Sequence, residues 1–380
     1  MANQNKPRRG HGEGSIYLRK DGRYAASLRL EDGKRKYFYD KKKSVVQEQL
    51  RQAINEQKQG ILATGPHQKL KDYLIQWLED VHKQDVLDST YARHKSTINY
   101  HIIPELGHIQ VHKLTPQQLK SFYSRKLNEG CAAGSVRIMH TVLSSALKNA
   151  VKWGLVSRNV CELVSMPRGE RREALPLTKE QAQKLLDVVH NGRWEVLFTM
   201  ALITGMREGE LLALRWQAID FERSNLYINQ TVVILPGVGF VEHQPKTARG
   251  RRNVRLPKFV IEALYRQRER VNEMRLKSGG TWQENDLVFP NLHGGFIYRT
   301  NLHRVFRRIL AAAGLPIVRF HDLRHSTATI LLTMGVHPKV VQEILGHASI
   351  SMTLDTYSHL VPSMHDDVIQ KWEDAFGKGE

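Results

Sequence analysis

Cysteine is almost absent, with Cys131 and Cys161 the only two in 380 residues. Two isolated thiols exclude a disulfide framework and a thiolate zinc cluster of the C-x-x-C type, and they point to a reducing compartment. Long apolar runs are missing as well. No stretch reaches the roughly 18 residues that cross a bilayer, and the basic N-terminus MANQNKPRRG has no apolar stretch behind it. A cytoplasmic protein without a membrane partner is expected. A G-x-x-x-x-G-K-[ST] loop is also lacking, so nucleotide hydrolysis is not expected to drive the chemistry. Acidic residues are scarce relative to basic ones: 38 Asp and Glu face 57 Lys and Arg, a net charge of +19. Such an excess points to a polyanionic partner, nucleic acid first. What is present is otherwise ordinary, with 41% hydrophobic and 25% charged residues, enough for two or three domains with real cores.

The excess charge is concentrated early. Residues 1 to 60 hold 15 Lys and Arg against 7 Asp and Glu. Within them GSIYLRKDGRYAASLRLEDGKRKYFYD alternates in three runs broken by Asp21-Gly22 and Asp32-Gly33, which predicts a three-stranded antiparallel sheet. Tyr24, Ala26, Leu28 and Leu30 fall on one face of the middle strand and Arg23, Ser27 and Arg29 on the other. Ser44 with Gln47 reads as a capping box opening a helix whose Val45, Val46, Leu50 and Ile54 cover the sheet. A small sheet with one packed and one basic face suits a DNA groove, with Arg23, Arg29, Lys34 and Lys36 as contact candidates.

From 66 to 165 the period becomes helical, as in Leu70, Tyr73, Leu74, Trp77, Leu78 and Val81, and a four-helix domain is predicted. Thr115, Pro116 and Gln118 mark one helix start, and Gly154 ends the helix carrying Ile138, Val142, Ala146 and Ala150. The stretch 166–176, MPRGERREALP, reads as a linker. After it Thr178 caps a helix with Gln181, helical patterning runs to about 215, and strands at 225–235 and 239–256 form a small sheet. Helices then run toward the end, apart from the apolar LVF at 287–289.

HDLRH poses the chemical question. His321 and His325, four apart on one helical face with an acid between, have the spacing of a zinc hydrolase, whereas His321 and Arg324 could instead grip an anion. The zinc motif needs Glu directly after the first histidine, where Asp322 stands one methylene shorter, and Arg324 would set a cation beside the metal. No metal is expected.

Four segments occur in order: TGMREGELLALRW with Arg207, QPKTARGRRNVRLP with Lys246, HDLRHS with His321 and Arg324, and LGHASISMTLDTYSHL with His347 and Tyr357. Over 175 to 362 this resembles the catalytic domain of the tyrosine recombinases, the phage integrase family, and the whole chain resembles integrases of temperate phages and integrative elements. The resemblance implies a multidomain fold. An N-terminal arm-type DNA-binding domain occupies 1–62, a helical core-site domain 66–165, and a mainly helical catalytic domain with a small β-sheet 177–380. It implies site-specific recombination through a 3′-phosphotyrosyl intermediate, the alternatives being topoisomerase-like relaxation of the IB type or a non-catalytic DNA-binding regulator. Further implications are double-stranded DNA as partner, a homotetramer on it, an excisionase or host DNA-bending protein, a place at the bacterial nucleoid, and no cofactor.

Each residue has a physical task. A tyrosine hydroxyl with a pKa of about 10 costs about 4 kcal/mol to ionise at neutral pH, so Tyr357 as nucleophile needs help. Arg207 and Arg324 can offer forked donors to the two nonbridging oxygens of a scissile phosphate. His321 and His347 can donate hydrogen bonds or move protons, and Lys246 can protonate the leaving 5′ oxygen. Glu210 is expected to hold an arginine or histidine rather than react. Arg249, Arg251 and Arg252 either touch phosphates or face water, and His325 packs or hydrogen-bonds. Val368, Ile369, Trp372 and Phe376 recur at roughly helical spacing, to dock on a neighbouring protomer or to pack on their own domain.

Overall fold

The computed structural model describes residues 14–29, 35–58, 68–167, 175–244, 250–347 and 349, with isolated positions 372 and 376. The chain divides into two compact units, Met1–Arg171 and Arg172–Glu380. Most of the expected linker, 168–174, lies outside the described residues, as does the Asp32-Gly33 turn.

In the first unit β1 (Ser15–Leu18), β2 (Tyr24–Arg29) and β3 (Arg35–Asp40) form an antiparallel sheet in that order. Gly22 takes the left-handed φ of 79° that the turn between β1 and β2 requires. Ala26 and Leu28 meet Val46, Leu50 and Ala53 of the helix Lys43–Lys58. That helix begins one residue before Ser44, and the backbone N–H of Lys42 is met by Asp40 Oδ1 at 2.8 Å instead. Val45 turns outward at 36% exposure, and Ala53 packs on the sheet. The outer face is less basic than predicted. Ala25 and Ser27 are buried, Ser27 Oγ lies 2.8 Å from Ser15 Oγ, and half-exposed Tyr17, Tyr37 and Tyr39 flank them. Small residues on a central strand are shaded by the large side chains registered beside them, here Tyr39 opposite Ala25 and Tyr37 opposite Ser27.

The same unit continues with four long helical stretches. Leu70–Trp77 passes through a π-helical turn, Leu78–His82, into Lys83–Asp85, and Asp88–Thr97 passes through a second, Ile98–Ile102, into Ile103–Leu106. Pro116–Asn128 and Ala133–Lys152 follow, the former opened by the predicted Thr115 and Gln118 capping box. Trp77, Tyr73 and Phe122 are fully buried in this core. The π turn changes one expectation: His82 is buried while Val81 only packs on the cluster's edge, because a wider turn shifts the face by one residue.

The second unit has its core around the apolar helix Glu195–Thr204, packed by Lys179–Val189, Lys258–Ser278 and Arg299–Ala312. Val288 and Phe289 of the LVF run are buried in that core. Thr178 and Gln181 form their capping box. Instead of one small sheet there are two. β4 (Ile219–Asp220), β5 (Asn225–Ile228) and β8 (Arg252–Arg255) make one in the order β4-β5-β8, and the hairpin of β6 (Thr231–Leu235) with β7 (Gly239–His243) makes the other. A satellite cluster of Ala328, Leu332, Val341 and Leu345 joins the helices Asp322–Thr333 and Pro338–Leu345. No helix among the described residues is long and apolar enough to cross a membrane.

Candidate active site

TGMREGE is a turn with two close approaches. The helix Glu195–Thr204 stops at Gly205, whose φ of 56° suits glycine and whose missing side chain leaves room for Leu345. Helical geometry resumes at Glu208–Leu212, so the helical patterning expected to about 215 is divided among three helices. Arg207 sits at its N-cap in extended conformation, φ −67° and ψ 150°. Gly209 lets this short helix press on β6, since a Cβ there would stand 2.7 Å from the Val232 carbonyl.

Glu210 is the hub. Its Oε2 accepts from the Arg207 backbone N–H at 3.0 Å and from Arg252 Nη2 at 3.0 Å, and its Oε1 from Arg207 Nη1 at 2.7 Å. Burial pushes its carboxyl up, but Arg252 and Arg207 outweigh this and hold it below the usual range. The Arg207 side chain is 42% exposed, against 2% for Glu210, so its guanidinium reaches solvent from a buried anchor. Its Nη2 also donates to the Gly346 carbonyl at 3.4 Å.

The second arginine comes from the HDLRH helix. Arg324 is buried at 4% exposure and donates through Nη1 to the Gly205 carbonyl at 2.8 Å. Two further bonds pin this helix to the core: Thr327 Oγ1 to the Leu202 carbonyl at 2.8 Å, and the Leu177 N–H to Ser326 Oγ at 2.8 Å. Asp322 faces Arg319, whose backbone N–H, Nε and Nη2 it accepts at 2.9, 3.1 and 2.8 Å. It is therefore committed to orienting the helix start. His321 and His325 lie edge to face, ring centroids 5.2 Å apart.

His347 follows Gly346, which ends the helix Pro338–Leu345 with a φ of 68°. Its backbone is held by Gln342 on both sides, N–H to carbonyl at 3.2 Å and carbonyl to Nε2 at 3.1 Å. Burial first, then Arg324, Arg207, His325 and Arg252, pull its imidazole down to about 3. His321 is lowered for similar reasons, burial and then His325 and Arg324; its side chain touches water yet stands crowded enough to lose much of its hydration. Burial also lowers His325, with Asp322 opposing and Arg319 and Arg324 adding to it.

Thus Arg207, Arg324, His321 and His347 belong to one cationic cluster of the second unit, together with Glu210, His325 and Arg252. Lys246, Tyr357, Lys34 and Arg249 lie outside the described residues. Arg251 is exposed on the rim of a cavity of about 350 Å³ that Lys339, Glu343 and His347 also line. On the N-terminal sheet, Arg23 is clipped to Asp21 at 2.8 Å and Arg29 is exposed, both on the tyrosine face, where Arg19 lies 5.0 Å over the Tyr39 ring. Lys36 is registered opposite Leu28 and rests over Phe38 at 5.9 Å, so it belongs to the opposite face from Arg23 and Arg29. Trp372 and Phe376 are exposed, ring centroids 5.1 Å apart.

Sequence reasoning misjudged Arg252. Its side chain is 5% exposed and makes three bonds inside the protein rather than facing water. The signal was the period of two in RNVR, which sets Arg252 on the inner face beside buried Val254 while Asn253 and Arg255 point out. Among the described residues no group of three His, Cys, Asp or Glu could hold a metal ion. The arrangement is a group of guanidinium donors with imidazoles beside them, a set whose charge and donors suit an oxyanion.

Two family models match the chain: the phage integrase family over residues 176–364, and the phage integrase N-terminal SAM-like domain over 69–127. A tyrosine recombinase XerC-like protein of Caldanaerobacter subterraneus subsp. tengcongensis is 29% identical over 368 residues, covering 92% of this chain and 94% of its own. The Tn1549 transposon integrase in complex with transposon right end DNA superposes with a TM-score of 0.66 at 20% identity, over 76% of this chain and 95% of that one. A lambda integrase tetramer bound to a Holliday junction gives 0.54 at 20% identity, over 88% and 95%.

Proposed function

The chain belongs to the phage integrase family of tyrosine recombinases, which makes it a site-specific DNA recombinase, and from that premise we propose how its residues divide the reaction. The Tyr357 phenol oxygen attacks the scissile phosphorus and forms a 3′-phosphotyrosyl bond. Its proton passes to His321 or His347, whose imidazoles are held low by burial and cationic neighbours in the free chain and become more basic once the phosphate's charge offsets Arg207 and Arg324. The 5′ oxygen leaves with a proton from the Lys246 ammonium. Arg207 and Arg324 hold the two nonbridging oxygens and stabilise the charge that grows on them. In the second step a 5′ hydroxyl from the other duplex attacks the phosphotyrosine and restores the phenol. One ester replaces another, so the bond energy is conserved without an external nucleotide.

The observation that carries this reading is the meeting of Arg207 and Arg324 beside His347, with one guanidinium on the Gly346 carbonyl and the other on the Gly205 carbonyl. A phosphate bound there meets two fixed forks rather than mobile lysines.

Residues 1–62 serve as the arm-type DNA-binding domain, reading DNA with the face that carries Arg19, Arg23, Arg29 and Tyr39, and 66–165 with 177–380 clamp the core site. Four protomers act together, a reading supported by the tetramer that lambda integrase forms on a Holliday junction. The product is integration and excision of a mobile element at the host nucleoid, with an excisionase or a DNA-bending protein setting direction. Incubation without metal on a nicked suicide duplex tests the core of this. A covalent adduct is expected, and Tyr357→Phe should abolish it. No adduct with the unaltered chain would instead indicate a regulator, and relaxation without strand exchange a topoisomerase.

A further inference from the structure

Arg207 and His347 must face one phosphorus, yet they stand on elements far apart in sequence. Neither is rigid by itself: Arg207 caps a helix of five residues, and His347 follows the glycine that ends another. The residue that spans them is Arg252. Its Nη2 donates at 3.0 Å to Glu210 Oε2, the same oxygen that holds the Arg207 backbone N–H. Its Nε donates at 2.7 Å to the Ile344 carbonyl, three residues before His347, and its Nη1 reaches the Gly250 carbonyl at 3.3 Å.

We propose that Arg252 is a positioning residue for strand cleavage: without touching DNA, it fixes Arg207 through Glu210 and the Gly346–His347 corner through the Ile344 carbonyl. The inference rests on the recombinase reading above. Helix ends leave carbonyls without intrahelical donors. At this end the N–H groups of Gly346 and His347 turn back to Gln342 and Glu343, and Arg252 serves the Ile344 carbonyl. A guanidinium suits the task because its donors are set in a rigid plane, so meeting three acceptors at once fixes their mutual positions. Lysine carries the same charge on one atom and cannot span them. Burial of both Arg252 and Glu210 means the link is not exchanged for water in passing.

The test uses the full chain with R252Q and R252K on the nicked suicide duplex, scoring single-turnover adduct formation and, separately, duplex affinity by mobility shift. Both variants should cleave at least about tenfold more slowly while binding DNA within about threefold of the unaltered chain. The decisive comparison replaces one nonbridging oxygen of the scissile phosphate with methyl, which removes the charge that Arg207 serves. On that methylphosphonate the R252Q defect should shrink to less than about threefold. A defect of equal size on both substrates, or an affinity falling in step with rate, would make Arg252 a general structural residue and overturn the proposal. Full activity of R252K would also overturn it, since the forked geometry would then be dispensable. If R252Q does not fold, R252K carries the same two-substrate comparison. Absence of adduct with the unaltered chain would be a failure of the recombinase reading and not of this one.

Discussion

Two groups of histidines, one in each unit, are held neutral by different surroundings. In the helical part of the first unit His82 Nε2 lies 2.7 Å from His94 Nδ1, their rings stack at 4.9 Å, and Trp77 stacks on His82 at 4.4 Å. Burial leads in lowering His94 to about 4, followed by His82 and Arg93, and burial alone drives His82 down against the pull of Asp85. In the second unit burial also leads for His347, but Arg324, Arg207, His325 and buried Arg252 stand behind it. The first environment rests on packing, with His82 buried and His94 half-buried in a ring stack, rather than on a pair of arginines that a ligand could neutralise. The second is conditional: an anion that neutralises Arg207 and Arg324 removes the part of the shift that those two cations add to burial. A packing site and the proposed phosphate site can therefore share a direction of shift and differ in how they respond to a ligand.

The sharpest way to break this comparison is to remove the cations. Arg207→Ala or Arg324→Ala should slow adduct formation about 10²- to 10³-fold, the usual scale for losing a donor to developing oxyanion charge. His94→Asn, measured alongside, should leave the rate within about twofold. The next test is proton uptake. Phosphate binding should raise the His347 pKa from about 3, so the complex holds more protons than its free components. Calorimetry near pH 5 in buffers of different ionisation heat should register uptake of up to about one proton. His347→Asn should lose that uptake and His94→Asn should retain it.

Acid stability probes the other side. The unfolded chain protonates His94 near 6.5 and the folded chain only near 4, so the unfolded state binds the extra proton between those values. Stability contributed by the neutral pair is complete above 6.5, declines as pH falls toward 4, and levels off below. Thermal melts of His94→Asn should show a shallower decline over that window, by a few degrees. The smallest effect belongs to a residue that is part of neither group. Thr115→Ala removes one side of a capping box and should cost about 1 kcal/mol without touching cleavage, read as a modest loss of melting temperature.

Much of this was legible in residue types. Thr115 with Gln118 and Thr178 with Gln181 announced helix starts because a hydroxyl and an amide three residues apart satisfy each other's backbone locally, whatever the rest of the chain does. Arg207, His321, Arg324 and His347 were legible as a set through the order of their segments. Other features depend on neighbours outside the motif itself. Ser44 has the chemistry of a cap, but Asp40 at the end of β3 already supplies the acceptor, and the helix starts at Lys43. A single sheet was expected from adjacent strand-like runs, whereas β5 pairs with β8 and leaves β6 to pair with β7. The alternation in RNVR was visible, but the partner that makes a buried arginine tolerable, Glu210, is 42 residues away in sequence.

The two π-helical turns, Leu78–His82 and Ile98–Ile102, carry a lesson for how this sequence can change. Such a turn is geometrically equivalent to one residue inserted into an ordinary helix. Deleting a single residue there restores regular winding and keeps the flanking faces in register, because the wider turn spreads an ordinary turn's rotation over one residue more. Leu70, Tyr73, Leu74 and Trp77 then keep the core they fill. The same deletion in a regularly wound stretch, such as Ala133–Lys152, would rotate one flank by about 100° and unseat its buried face.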